Sequence, residues 1–112
     1  MQISNTKTAA GVEIVALQGE VDMHVSPQVR DALLSVFKKN AKGILVDLSE
    51  VPFMDSSGIA TLVEGLRWSK NEGTRFILVG LQDNVSHTLK LAKVDSFFEI
   101  FPNQEEALGT VG

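Results

Sequence analysis

The stretch that decides the fold is residues 44–66, ILVDLSEVPFMDSSGIATLVEGL. Its first five residues, 44–48, form an almost wholly apolar run, which is typical of a β-strand covered on both faces. Its second half carries apolar residues at helical spacing and predicts an amphipathic helix running to about Asn71. These residues are Ile59, Leu62, Val63 and Leu66. A strand, a short polar loop and a helix in this order indicate one unit of a parallel α/β sheet.

The segments on either side extend this alternation. Apolar and β-branched runs predict strands at residues 3–8, 12–17, 76–79 and 97–100 in addition to 44–48. Helical stripes follow Ser26-Pro27 and Asp83-Asn84, and a short helix spans about residues 103–108. The order β-β-α-β-α-β-α-β-α predicts an α/β fold with a mixed, mostly parallel sheet, an N-terminal β-hairpin at one edge and crossover helices.

Helix starts are predicted from polar residues before each apolar stripe. We expect Ser26 to be the N-cap of the first helix, with Pro27 in its first turn. Asp83 or Asn84 is expected to cap the third helix, whose apolar residues are Val85, Leu89 and Leu91/Ala92.

Composition limits the function. A chain of 112 residues suggests one domain, residues 1–112, and the absence of cysteine excludes disulfides and thiolate chemistry. Two histidines make a metal site unexpected, and a net charge of −4 with scattered cations argues against nucleic-acid or membrane-surface binding. No apolar run approaches the ~20 residues that span a bilayer, and the N-terminus lacks the pattern of a signal peptide. We expect a cytoplasmic protein without cofactor or metal.

The loop before the second helix contains an acid and two hydroxyls, Asp55, Ser56 and Ser57, followed by Gly58. Asp55 or Ser56 can cap the helix, and Gly58 can permit close packing. A serine at the N-terminus of a helix also suits a phosphate, because free N–H groups and the helix dipole favour an anion there. In a parallel sheet, loops at the carboxyl ends of strands are the usual functional sites. We therefore expect this loop and the loop at residues 20–22, which contains Asp22, to lie side by side.

Here the sequence resembles a known family. Residues 53–59, FMDSSGI, are similar to the signature of the STAS domain family, in particular the bacterial anti-sigma factor antagonists. The segment LQGEVD at residues 17–22 resembles the family's Leu-x-Gly-Glu-Leu-Asp, and the central strand and residues 94–100 also fit. The similarity runs from about residue 10 to residue 108.

The resemblance implies a regulatory binding protein and not an enzyme. In the family, the serine directly after the aspartate is phosphorylated by a partner serine kinase that is itself an anti-sigma factor; this position is Ser56. The unphosphorylated antagonist binds that kinase, a serine phosphatase resets the modified form, and ATP belongs to the kinase. Asp22 and Asp55 would flank the site, with Ser26 and Ser57 beside it.

Two features leave the resemblance incomplete. A glycine often ends the third helix in the family, where Lys93 stands here. STAS modules also act in stress-sensing, lipid-transport and secretion complexes, and the sequence is compatible with those roles.

Two enzymatic alternatives remain open at this point. Residues 47–55, DLSEVPFMD, superficially resemble a phosphoaspartate receiver, in which Asp47 would accept the phosphoryl group. Against it, no lysine follows the last strand, and too few residues separate Asp22 from Asp47 for a strand and a helix. A Ser-His-Asp hydrolase built on His24 is conceivable, although there is no Gly-x-Ser-x-Gly elbow. His87 is expected on an exposed helix face.

Trp68 falls opposite the apolar stripe of the second helix. It can anchor a partner or support self-association, or it can pack against a neighbouring helix, which is the interpretation that we expect. Thr61 and Glu64 share its general side and would belong to a docking face.

Overall fold

The computed structural model describes residues 1–111, which form one five-stranded sheet and four α-helices. The strands are β1 (Gln2–Lys7), β2 (Val12–Gln18), β3 (Gly43–Glu50), β4 (Arg75–Val79) and β5 (Glu99–Phe101). The helices are α1 (Ser26–Phe37), α2 (Ser56–Glu72), α3 (Asp83–Leu91) and α4 (Gln104–Leu108). This order confirms the predicted alternation, whereas the expected domain end at residue 112 lies outside the described residues.

The sheet has the strand order β1-β2-β3-β4-β5. β1 pairs antiparallel with β2, and all other neighbours are parallel. The predicted N-terminal hairpin therefore forms one edge of the sheet, and the carboxyl ends of β2, β3 and β4 meet at one end.

Helices cover both faces of the sheet, which explains the continuous apolar runs of the central strands. One face carries Val15, Val46 and Leu78 and packs against the apolar stripes of α1, α2 and α3. The other face carries Leu45 and Ile77 and packs against α4.

The helix starts differ from the sequence-based expectation. Ser26 is not the N-cap of α1: Val25 occupies that position without a side-chain cap, and the nearby N–H groups of His24 and Val25 donate to the Asp22 carboxylate. The Ser26 hydroxyl instead donates to Asp22 O and lies 2.7 Å from Ser57 Oγ in the first turn of α2.

The third helix and the last strand also differ. Neither Asp83 nor Asn84 caps α3, which follows Gln82 without a side-chain cap; Asn84 Oδ1 instead accepts a hydrogen bond from Met54 N. Leu91 and Ala92 are exposed and do not join the core. Residues 95–97 of the expected last strand form a 3-10 turn, η1 (Asp95–Phe97), and Lys93 adopts a left-handed backbone with φ of 60°.

Gly58 allows the first turn of α2 to press against the loop beneath it. A Cβ atom at this position would lie 2.4 Å from Met54 Cγ and 2.9 Å from Val21 Cγ1. Both neighbours are fully buried, so neither side chain has free space into which it could move. The close packing expected of Gly58 is confirmed.

We predict that Gly58→Ala lowers the free energy of unfolding. Overpacking a buried contact costs about 1–3 kcal/mol, which exceeds the gain of about 1 kcal/mol from replacing a helical glycine by alanine. Urea unfolding measures the difference. Gly109→Ala is the control, because a Cβ there would make only ordinary contacts at 3.5 Å and 3.6 Å. A Gly58→Ala protein as stable as the wild type would contradict the close packing.

Candidate functional site

Two loops join at the carboxyl ends of β2 and β3. Val21 N donates to Phe53 O at 3.0 Å, and Asp55 N donates to Val21 O at 3.0 Å. These bonds form an isolated parallel bridge between Val21 and Met54. The loop that contains Asp22 and the loop that contains Ser56 therefore lie side by side, as the sequence predicted.

The carboxylate of Asp55 caps α2. Its Oδ1 atom accepts hydrogen bonds from Ser57 N at 2.9 Å and from Gly58 N at 3.3 Å. Asp55 itself has an extended backbone, as N-cap residues do. One carboxylate thus satisfies two of the N–H groups that the first turn of a helix leaves without partners.

A chain of hydroxyl groups connects this cap to α1. Ser57 Oγ donates to Asp55 Oδ1 at 2.5 Å, and Ser26 Oγ lies 2.7 Å from Ser57 Oγ. Since a carboxylate is the stronger acceptor, Ser57 gives its single proton to Asp55. Ser26 Oγ also lies 2.7 Å from the backbone oxygen of Asp22, to which it donates. The one proton of Ser26 therefore has two acceptors within reach, Asp22 O and Ser57 Oγ.

The three serines differ in exposure. Ser26 is buried, Ser57 is half-buried, and Ser56 is exposed. Ser56 is the first residue of α2, at the end where the helix dipole is positive. Of the three hydroxyl groups, only that of Ser56 combines access from solvent with a position that favours an added anion.

The network holds Asp55 in its charged form. The hydrogen bond from the Ser57 side chain lowers the pKa of Asp55 below its usual value, and it outweighs the opposing effect of partial burial. Backbone N–H groups of Gly58, Ser57 and Met23 lower the pKa further. The site therefore presents a fixed negative charge beside Ser56.

Thr61 and Glu64, the two residues of α2 that were predicted to belong to a docking face, differ in exposure. Thr61 is buried at 6% exposure and its Oγ1 donates to Ser57 O at 3.0 Å, so its expected place on a docking face is wrong. A threonine can be buried in a helix because its hydroxyl bonds the carbonyl one turn earlier. Glu64 is partly exposed and pairs with Arg30 at 3.1 Å.

Trp68 packs between α1 and α2, as expected. Its ring meets Phe37 edge-on at a centroid distance of 5.7 Å, and the Arg30 guanidinium lies 5.4 Å from the ring centroid. The indole thus packs in the interface between α1 and α2.

Two functional candidates were missed by the sequence analysis. Met23 is 69% exposed and Phe53 is 38% exposed, and each lies within two residues of the Val21–Met54 bridge. Large apolar side chains are normally expected to be buried. The only feature of the sequence that could have indicated a role for Met23 and Phe53 was their position beside Asp22 and Asp55. They add apolar surface to the two loops.

The structure contradicts the receiver alternative. Receivers have the strand order 2-1-3-4-5, whereas this sheet runs in sequential order with an antiparallel first strand. Asp47 lies away from the two loops and accepts from Ser49 N and Gln104 Nε2. Burial raises the pKa of Asp47, but these hydrogen bonds outweigh it and hold the pKa below the usual value.

The hydrolase alternative also lacks its geometry. His24 and His87 are exposed, and within residues 1–111 no histidine side chain bonds to a serine. The same residues contain no group of three or more His, Asp or Glu side chains suited to a metal ion. No helix formed by residues 1–111 has the length and apolar character needed to cross a bilayer.

We predict that Asp55→Asn makes the free energy of unfolding less dependent on pH under acidic conditions. An aspartate whose folded-state pKa lies below its unfolded value stabilises the fold above that unfolded value, and this stability is lost as the pH falls through the folded-state pKa. Asparagine still caps a helix but does not titrate. Asp47, whose pKa is also lowered, loses its stabilising contribution on acidification in both proteins, so the difference between them isolates Asp55.

The measurement is urea unfolding between about pH 5 and about pH 2. The wild type should lose more stability across this range than Asp55→Asn. Asp31→Asn, which removes an exposed carboxylate from α1, controls for the change in net charge. Parallel profiles for the wild type and Asp55→Asn would contradict the assigned role.

Comparison with known proteins places this geometry in a family. The STAS domain model matches residues 4–107. The anti-sigma-B factor antagonist of Listeria monocytogenes is 27% identical over 86 residues, 77% of this chain and 75% of that protein. The anti-sigma F factor antagonist of Paenibacillus polymyxa is 27% identical over 99 residues, 88% of this chain and 85% of that protein.

Solved structures agree with the fold. An anti-sigma factor antagonist from Mycobacterium paratuberculosis has a TM-score of 0.86 at 26% identity, covering 98% of this chain and 94% of that one. The Bacillus cell fate determinant SpoIIAA in its phosphorylated form has a TM-score of 0.76 at 20% identity, covering 99% of this chain and all of that one; at this identity the likeness shows the fold alone. The chain belongs to the STAS domain family.

Proposed function

We propose that the protein is an anti-sigma factor antagonist whose binding surface is gated by phosphorylation of Ser56. The two relatives named above are called anti-sigma factor antagonists, which supports the first half of this proposal. The single observation that supports the switch is the exposure of Ser56 beside two other hydroxyls, those of Ser26 and Ser57, that already take part in hydrogen bonds.

Phosphorylation of Ser56 would change charge without changing the fold. A phosphate adds about −1.5 to −2 charges near neutral pH, and the helix dipole at the start of α2 favours it. Among residues 1–111, the hydroxyl of Ser56 makes no hydrogen bond on which the two loops depend. The modified side chain therefore stays in solvent while Asp55 continues to cap the helix.

The added charge would lie on the surface that contacts the partner. Exposed Met23 and Phe53 supply apolar area that a partner can bury, and Asp22 and Asp55 supply fixed acceptors. A dianion among these groups would have to lose its hydration when a partner docks, which is costly unless a cation pairs with it. An acidic partner surface would in addition be repelled.

The partners would catalyse both the phosphorylation of Ser56 and its reversal. We propose an anti-sigma factor that is also a serine kinase and holds the ATP, and a serine phosphatase that restores the free hydroxyl. The chain carries no Gly-x-x-x-x-Gly-Lys phosphate loop of its own. Its contribution is to present Ser56 and to bind, and not to catalyse.

We predict that the cognate kinase and ATP add one phosphate to the wild type and none to Ser56→Ala. Ser57→Ala should still accept phosphate, although it removes the hydroxyl hydrogen bond to the charged carboxylate of Asp55, which costs about 1.5–3 kcal/mol of stability. Intact-mass spectrometry after the kinase reaction measures both. Phosphate on Ser56→Ala together with none on Ser57→Ala would move the site to Ser57.

We also predict that Ser56→Asp weakens binding to the anti-sigma factor at least tenfold, which corresponds to about 1.4 kcal/mol. Its thermal midpoint should stay close to that of the wild type, because the side chain lies in solvent. Calorimetric titration and thermal unfolding give the two quantities. Ser35→Asp, on the exposed side of α1, is the matched control and should bind normally. A large loss of stability in Ser56→Asp would show that Ser56 is structural.

A further inference from the structure

An exposed aromatic side chain lies at a second place, away from the loops around Ser56. Phe97, in η1, is 61% exposed. Leu91 and Ile100 are also exposed, but Ile100 lines a different cavity, with Ser49 and Pro102. A single exposed apolar residue is ordinary, so the significance of Phe97 depends on what lies beside it.

Phe97 forms one wall of a groove against α2. The groove has a volume of about 250 Å³ and is lined by Val63, Leu66, Arg67, Lys70 and Phe97. Val63 and Leu66 are half-buried, whereas Arg67 and Lys70 are exposed. The groove thus has an apolar interior and a cationic rim.

The two cations of the rim are free to pair with a partner. Within residues 1–111 neither Arg67 nor Lys70 forms an ion pair, in contrast to Arg30 with Glu64 and Arg75 with Glu99. Lys70 lies in the last turn of α2, where the negative end of the helix dipole stabilises a cation. Arg67 lies one turn earlier, and within residues 1–111 no carboxylate pairs with it. On a chain with a net charge of −4, this rim is a local positive region.

The groove lies at the opposite end of the molecule from Ser56. α2 leaves the carboxyl end of β3 at Ser56 and runs back to the start of β4. At 1.5 Å per residue, the rise from Ser56 to Arg67 is about 16 Å, or about twice the screening length of about 8 Å at physiological salt. A phosphate on Ser56 therefore exerts little force on a ligand in the groove.

We propose that the groove between α2 and η1 is a second docking site, for a segment of a partner protein that presents a leucine or phenylalanine flanked by carboxylates. The apolar side chain fills the space between Val63, Leu66 and Phe97, and the carboxylates pair with Arg67 and Lys70. The site stays open in both states of Ser56, so a partner can hold the protein through it while the surface around Ser56 is switched off.

The test is a titration of the full chain with the peptide acetyl-Glu-Glu-Leu-Phe-Glu-Glu-amide, followed by amide chemical shifts in NMR spectra. We expect the largest shifts at residues 63–70 and 96–98, and much weaker binding of the charge-reversed peptide acetyl-Lys-Lys-Leu-Phe-Lys-Lys-amide. Equal binding of the two peptides, shifts confined to other surfaces, or no shifts at all would overturn the proposal.

Variants separate this site from the one at Ser56. R67E/K70E and Phe97→Ala should each raise the dissociation constant of the acidic peptide at least fivefold, whereas K38E/K42E, with the same change in net charge, should change it less than twofold. Circular dichroism checks that each variant is folded. Ser56→Asp should bind the peptide as the wild type does; weaker binding there would overturn the independence of the two sites. Failure of Ser56 phosphorylation would leave this result unchanged.

Discussion

The site depends on the carboxylate of Asp55. It caps α2 through Ser57 N and Gly58 N and accepts the hydroxyl proton of Ser57, whose Oγ lies 2.7 Å from Ser26 Oγ at the start of α1. One charged group therefore fixes the start of α2 and its attachment to α1. Because the network uses Ser57 and Ser26, it leaves Ser56 as the exposed hydroxyl.

The fold gives this network its place. Parallel strands bring the ends of β2 and β3 to the same edge, and the Val21–Met54 bridge locks the two loops together. Gly58 lets α2 approach that bridge closely enough for Asp55 to cap it. A rigid base of this kind permits a regulatory charge to act on the surface alone, since no buried group has to move when the charge is added. The second, cationic groove lies along the C-terminal half of the same helix, α2.

The sequence was sufficient for the architecture because the architecture follows from periodicity. Apolar runs at positions 44–48 and 76–79 identified the strands buried on both faces, and the Asp-Ser-Ser-Gly stretch identified the site. The expected cap at Ser26 was wrong for a different reason. A hydroxyl has several possible partners, and the two that lie within reach of Ser26 here are Asp22 O and Ser57 Oγ, the second of them 31 residues away along the chain.

Exposure was the other quantity that local pattern could not give. Thr61 looked like a surface residue, but it is buried because its hydroxyl is satisfied inside α2. Met23, Phe53 and Phe97 are exposed although they are large and apolar, because they lie in loops or in η1, where no periodic face indicates the inward direction. These three side chains define the two candidate contact surfaces, so the functional surface was less predictable than the site chemistry.

The central claim is that a phosphate on Ser56 alters the surface and not the network beneath it. The most direct measurement is a crystal structure of the protein phosphorylated on Ser56, compared with the unmodified form in the same crystal lattice. The account predicts that the hydrogen bonds among Asp55, Ser57 and Ser26 persist, and that the backbone of both loops moves by less than about 1 Å, as in other preorganised surfaces. A phosphate that displaces Ser57 from Asp55, or that separates the Val21 and Met54 backbones, would contradict it.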